Sequence, residues 1–130
     1  MNQILKDRQA TITIEHNAQM KQYDNRLDEF QLKKNEIERC LDDLHGFRIK
    51  MKAELEYRKS ELLQKGVYED ISMFQEIENA LNDDYQKAEY AFMNEQDEID
   101  RERKNILFEK DDVEKEYNLA ILALKKEAES

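Results

Sequence analysis

Two histidines and a single cysteine are the residues of this chain best suited to metal or nucleophilic chemistry. Asp42-x-x-His45 is the nearest fit to the Glu-x-x-His motif with which a helical bundle offers a carboxylate and an imidazole to a metal. A di-iron bundle takes one such motif from each of two helices, and no second copy is present. Cys40 and His45 lie five residues apart, poorly placed on a helix for a nucleophile and its base, and no third group suggests itself to orient them. The paired acids Asp42-Asp43, Asp83-Asp84 and Asp111-Asp112 lack the spacing and the glycine of a calcium loop and read as solvated helix surface. Neither Gly46 nor Gly66 sits in a glycine-rich phosphate-binding pattern. The expectation is a non-enzymatic chain with no catalytic residue, metal or cofactor.

With no proline, two glycines, no tryptophan and 40% charged residues, the 130 residues lack the punctuation that sheets and catalytic loops require. The composition reads as all-α and single-domain. Hydrophobic residues make up 39% of the chain, too many for a disordered acidic tail and suited to narrow seams between helices rather than a bulky core. Lys and Arg number 21 against 31 Asp and Glu, a formal charge of -10 that repels phosphate backbones and anionic lipid. Nucleic acid is therefore not an expected partner. From Asn2 to Asn17 apolar residues alternate with charged and polar ones, without an export signal of the Sec type. No run approaches the roughly 18 apolar residues of a membrane span, so no membrane insertion is expected. One cysteine excludes an internal disulfide and fits a reducing compartment, which makes cytoplasmic synthesis the expectation.

The strongest pattern is a seam. Fourteen positions from His16 to Leu62 follow alternating steps of four and three, and ten are apolar: Met20, Tyr23, Leu27, Phe30, Ile37, Leu41, Leu44, Met51, Leu55 and Leu62. The exceptions are His16, Lys34, Arg48 and Arg58. A seam of this period faces another helix, and His16 reads as a half-buried polar layer near its start. A second stripe holds Phe74, Leu81, Tyr85, Ala88 and Phe92, with Glu78 in the skipped position. Between the stripes, Gly66 can take the left-handed conformation that ends a helix, and Asp70 or Ser72 can cap the next, Ser72 and Gln75 forming a capping box. The seam's rhythm runs through Gly46, which reads as a tolerated helical glycine. The expected fold is a long antiparallel two-helix hairpin resembling a coiled coil, with helix 1 over about residues 3–64, a turn at 65–70 and helix 2 over about 71–127.

Setting the stripes face to face gives layers whose residue numbers add to about 136, such as Leu55 with Leu81, Met51 with Tyr85, Phe30 with Ile106 and Tyr23 with Val113. Arg58 then faces Glu78, Lys34 faces Glu102, and Arg48 faces Ala88 and snorkels to water. After Phe92 the seam weakens. One continuation runs through Glu95, Glu102, Glu109 and Glu116, the other through Gln96, Arg103, Lys110 and Tyr117, and Ile99, Ile106, Val113 and Ala120 are its only persistent apolar members. Looser packing is expected there. Apolar residues off the seam mark where a further helix would bind: Leu5, Ile12 and Ile14, then Phe47 and Ile49, then Tyr68, Met73 and Ile77 by the turn, and Leu107, Phe108, Leu119 and Leu122 on helix 2. The expected partner is a helical protein or a second copy of the chain, completing the hairpin's core.

The two-helix plan, the acidic balance and the segment Glu95-Gln-Asp-Glu-Ile-Asp-Arg-Glu-Arg-Lys-Asn-Ile-Leu-Phe-Glu-Lys110 resemble the small helical accessory proteins of LXG toxins in the Gram-positive type VII secretion system, relatives of the WXG100 hairpins. The resemblance covers roughly residues 20–117, and the WXG signature itself is absent, the turn reading Lys65-Gly66-Val67. It implies a chaperone-like protein that binds the helical N-terminal domain of a toxin, with or without a second small accessory protein, and that is exported with its partner without a Sec signal peptide. It also implies an aromatic-x-x-x-acid export motif near the end of helix 2, which Phe108 and Asp112 match. The alternatives are a stalk-like hairpin of a flagellar or type III export ATPase complex, whose relatives lean basic or neutral, and a homodimeric coiled-coil scaffold.

Overall fold

The structure, a computed structural model, describes residues 2–130. It is all-helical, 94% helix with no strand among the described residues. Helix α1 spans Gln3–Gln64 and helix α2 spans Ile71–Glu129, and the two pack against each other as a helical hairpin.

Each helix end has an identifiable stop. The Asn2 side chain accepts a hydrogen bond from the Leu5 amide at 2.9 Å while its carbonyl accepts one from Lys6 at 3.1 Å, which makes Asn2 the N-cap of α1. At the other end Gly66 has φ of 75°. The Val67 amide donates to the Leu62 carbonyl at 2.9 Å and the Gly66 amide to the Leu63 carbonyl at 3.1 Å, the crossed bonds of a Schellman motif. Helix α2 opens with the Phe74 amide donating to the Asp70 carbonyl at 3.3 Å, so Asp70 holds the cap position. The Ser72–Gln75 capping box does not form. Ser72 already lies inside the helix, where its backbone is helical, and the Gln75 side chain donates through Nε2 to Asn79 Oδ1 at 3.2 Å instead.

Packing divides the chain into two compact units, one made of Lys34–Glu98 around the turn and one made of the N-terminal stretch up to Lys33 with Ile99–Ser130. In the turn unit Ile37 and Tyr85 are buried, and Leu41, Leu44, Met51, Leu55, Leu62, Phe74, Leu81, Ala88 and Phe92 are half-buried. Arg48 is exposed to solvent, as expected, with its guanidinium over a ring of the seam. It lies 4.4 Å from the centre of the Tyr85 ring, a cation–π contact, and His45 tilts against the same ring at 5.8 Å. Arg58 does not reach Glu78, because Glu54 sits one turn away on its own helix and accepts its hydrogen bond at 2.9 Å.

The terminal unit holds most of the buried residues: Leu5, Phe30, Ile99, Ile106 and Leu124. Two expectations are corrected here. Leu5 is core rather than partner surface, and the stretch after Phe92 is well packed, Ile106 being the most buried residue among those described, at 3% exposure. The cause is the frame that α2 adopts. Beyond Phe92 the seam takes an extra step of four to Gln96, and Gln96, Lys110 and Tyr117 are half-buried while Glu95, Glu102, Glu109 and Glu116 face solvent. The layers without aliphatic residues are closed by long side chains with polar ends. Lys110 lies across the seam and its ammonium reaches Asp24 at 2.7 Å. Tyr117 stacks on His16 with ring centres 3.9 Å apart and shares a 3.0 Å hydrogen bond with Thr13. Arg8 and Glu127 make a looser pair at 3.7 Å. The residue numbers of each of these cross-helix pairs, and of Arg48 with Tyr85, add to less than the expected 136.

Gly46 is helical, and a Cβ added there meets nothing within 4 Å. Gly46→Ala is therefore expected to raise stability by about 1 kcal/mol, and Gly66→Ala to lower it by about 1 kcal/mol through the left-handed backbone. Urea unfolding followed by circular dichroism checks both, and equal effects at the two glycines would contradict the assignment of the turn.

Candidate interaction surfaces

The His45 ring lies on Tyr85 and is exposed, Cys40 is a free, half-buried thiol, and neither forms a hydrogen bond with the other. The His16 ring lies flat on Tyr117, 9° from parallel, with its buried Nδ1 unpartnered. Stacking thus replaces hydrogen bonding as the reason His16 occupies the seam. Among the described residues no group of three or more His, Cys, Asp or Glu is placed to hold a metal ion. Among the described residues no helix is long and apolar enough to cross a membrane.

What the fold does present is apolar surface of two kinds. The first is a groove of about 260 Å³ in the turn unit, floored by Leu44, Met51, Leu55, Leu81, Tyr85 and Ala88, with Phe47 on its lip. The groove was not anticipated from sequence, although its signal is present: Glu78 and Ala88 leave layers of α2 without bulk, and Arg48 does the same for α1. A helix pair joined by one seam closes such layers poorly, because small or charged residues leave the flanking aliphatics open.

The second kind is exposed apolar side chains on helix faces turned from the seam. Around the turn, Tyr68 is 66% exposed and Met73 and Ile77, one turn apart on α2, are also exposed, joined by Leu63 and Val67. In the terminal unit, Leu107, Phe108, Leu119 and Leu122 are all exposed, Phe108 at 60% and Leu119 at 65%. Phe108, Asp112, Leu119 and Leu122 follow heptad-like steps along the side of α2 opposite Ile106, Val113 and Leu124. Ile14, Phe47 and Ile49 on α1 are exposed as well, Ile12 is half-buried, and Tyr90 and Met93 are further exposed residues that periodicity alone did not single out.

The electrostatics around Phe108 leave its face polar at the edges and open at the centre. Lys104 places its ammonium 5.9 Å from the Phe108 ring centre. Lys115 pairs with Asp111 at 3.0 Å rather than with Asp112. That hydrogen bond, and then the Asp111 charge, hold the Lys115 ammonium above its ordinary pKa of 10.5. Phe108 and Asp112 therefore stand one helical turn apart on a single solvent-facing surface, which is the geometry an aromatic-x-x-x-acid signal needs if a receptor is to read both side chains at once.

Comparison with known proteins brings no match: no protein-family model, no curated protein and no solved structure is similar to the chain at a meaningful level.

The contrast between the two sides of α2 is measurable. Ile106→Ala should lower stability by about 2–5 kcal/mol, as expected for emptying a well-packed position, whereas Phe108→Ala and Leu119→Ala should each change it by less than about 0.5 kcal/mol. Chemical denaturation of the three variants checks this, and a large loss for Phe108→Ala would mean that the residue serves packing rather than recognition.

Proposed function

We propose that this chain is a non-enzymatic, chaperone-like accessory protein that binds the helical N-terminal domain of an LXG toxin and promotes its export by a type VII secretion system. The single observation that carries this reading is the outer face of α2, where Phe108, Leu119 and Leu122 form an unpartnered apolar stripe with Asp112 between them. The exposed leucines of this face suit an amphipathic helix laid alongside, which is how one helical protein recognises another. In this reading Leu119 and Leu122 supply the contact and Leu107 borders it. Phe108 and Asp112, open to solvent, are read by the export machinery. Tyr68, Met73 and Ile77 by the turn offer a separate contact for a second small helical partner. The net charge of -10 supports a protein partner over nucleic acid, and places a premium on a toxin domain whose flanks are basic.

Co-expression with a helical toxin domain encoded beside this chain, followed by affinity purification, tests the binding step. A stable complex is expected, and Leu119→Asp with Leu122→Asp should weaken it by about 100-fold, the loss of two buried leucine contacts at an interface centre. Phe108→Ala and Asp112→Ala should abolish toxin export while leaving the complex intact. Recovery of no helical partner, or export unchanged by both substitutions, overturns the proposal.

A further inference from the structure

The outer face of α2 matches itself when reversed. Followed along this unbroken helix, Tyr90, Met93, Asp97, Arg101, Lys104, Phe108, Asp111, Lys115, Leu119 and Leu122 succeed one another in steps of three and four, an order of steps that reads the same from either end. The steps average about 3.6 residues, one helical turn, so the ten side chains share one side of α2. All ten are exposed, and they lie opposite Ile99, Ile106 and Leu124, which are buried. Charge follows the same reversal: Asp97, Arg101 and Lys104 precede the midpoint, and Phe108, Asp111 and Lys115 follow it. Asp97 and Arg101 form no ion pair among the described residues, and Asp111 pairs with Lys115 of its own helix.

We propose that this face is the contact surface between two copies of the chain, their α2 helices laid antiparallel about a two-fold axis level with Ile106. Residues whose numbers add to 212 then meet. Tyr90 meets Leu122 and Met93 meets Leu119 of the second copy, so both ends of the interface are apolar. Between them Asp97 meets Lys115 and Arg101 meets Asp111, opposite charges in each case. The Asp111–Lys115 pair of each chain, at 3.0 Å, becomes half of a cluster of four charges of alternating sign, completed by Asp97 and Arg101 of the other chain. At the centre Lys104, whose ammonium lies 5.9 Å from the Phe108 ring of its own chain, comes level with the Phe108 ring of the second copy. The same pattern opposes other arrangements. Parallel helices would set Asp97, Arg101, Lys104 and Asp111 each on its own counterpart, and sliding the antiparallel pair by one heptad sets Arg101 against Lys104, or Lys104 against Lys115. A face made for an unrelated helix needs no match to its own reverse, and this match selects a second copy as the occupant. Exposed ion pairs add little and a net charge of -10 on each chain opposes association, so the dimer is a weak one that forms in the micromolar range. It covers Leu119 and Leu122, and so the dimer and a toxin complex exclude each other. That consequence rests on the function proposed above, whereas the dimer itself does not.

Sedimentation velocity on the full chain, with no other protein present, from about 1 to 200 μM tests the dimer. The wild-type protein should pass from monomer to dimer across that range. Arg101→Glu and Asp111→Lys, both at exposed positions, should each weaken self-association by about tenfold with helicity unchanged by circular dichroism, because each sets like charges together twice per dimer. An equimolar mixture of the two should recover wild-type affinity as a heterodimer, since the two reversed charges then face each other. Cross-linking reads the direction: chains carrying Met93→Cys and chains carrying Leu119→Cys, each with Cys40→Ser, should form disulfides with each other on oxidation and not with themselves. A wild-type chain that stays monomeric throughout, variants that dimerise as tightly as wild type, a mixture no tighter than its components, or Met93→Cys chains joined to one another would each overturn the proposal. Because no toxin is present, a monomeric result leaves the toxin pull-down standing, and failure to recover a toxin leaves the dimer standing.

Discussion

Two helices joined by one turn bury only the stripe along which they touch, and everything else in this protein follows from how that stripe is filled. With backbone and side-chain ordering costing about 1.5 kcal/mol per residue, a single seam leaves little surplus. Gaps in it therefore matter more than they would in a globular core. The chain meets them differently in its two units. Near the termini, where α2 supplies one isoleucine or valine per heptad, Lys110 and Tyr117 span the intervening layers with their apolar stems and end on Asp24, Thr13 and His16. Near the turn, Arg48 covers the face of Tyr85 with a flat cation, and the aliphatics beside it stay open.

The seam also decides which surfaces are free to act. In α2 the residues that face α1 leave the opposite side of the same helix to Phe108, Asp112, Leu119 and Leu122, and that side has no structural duty to constrain its composition. Large apolar residues on such a face add nothing to packing within the chain. The glutamates at 95, 102, 109 and 116 lie between the two sides as a solvated flank, adding to the negative charge.

Much of the architecture was legible in the sequence because the hairpin's local signals are strong. The four-three rhythm of α1 and the glycine at 66 each reflect a physical requirement that acts within a few residues: a period that keeps apolar side chains on one face, and a left-handed backbone that L-residues avoid. Other local features were less clear. Asn2 as the cap of α1 had no distinguishing context, since asparagine near a chain start is equally at home uncapped. Ser72 and Gln75 had the right spacing for a box but the wrong phase, because the helix begins at Ile71. Leu5 lay outside the rhythm as counted from His16, and an extra step of four between Ile12 and Met20 brings it into the core.

By itself, the sequence determined that the chain is helical and that it doubles back once, since both depend on residue type and spacing along one stretch of chain. Which of two frames α2 follows after Phe92 was open, because Glu95 and Gln96 are both polar and neither frame is apolar enough to win on periodicity. Only contact with α1 decided it: burying a glutamate carboxylate costs far more than laying a glutamine, a lysine stem or a tyrosine ring across the seam. The same contact revealed the groove at Tyr85 and the cation of Arg48 lying over that ring, which no reading of either helix alone contains, because a groove belongs to the space between two helices.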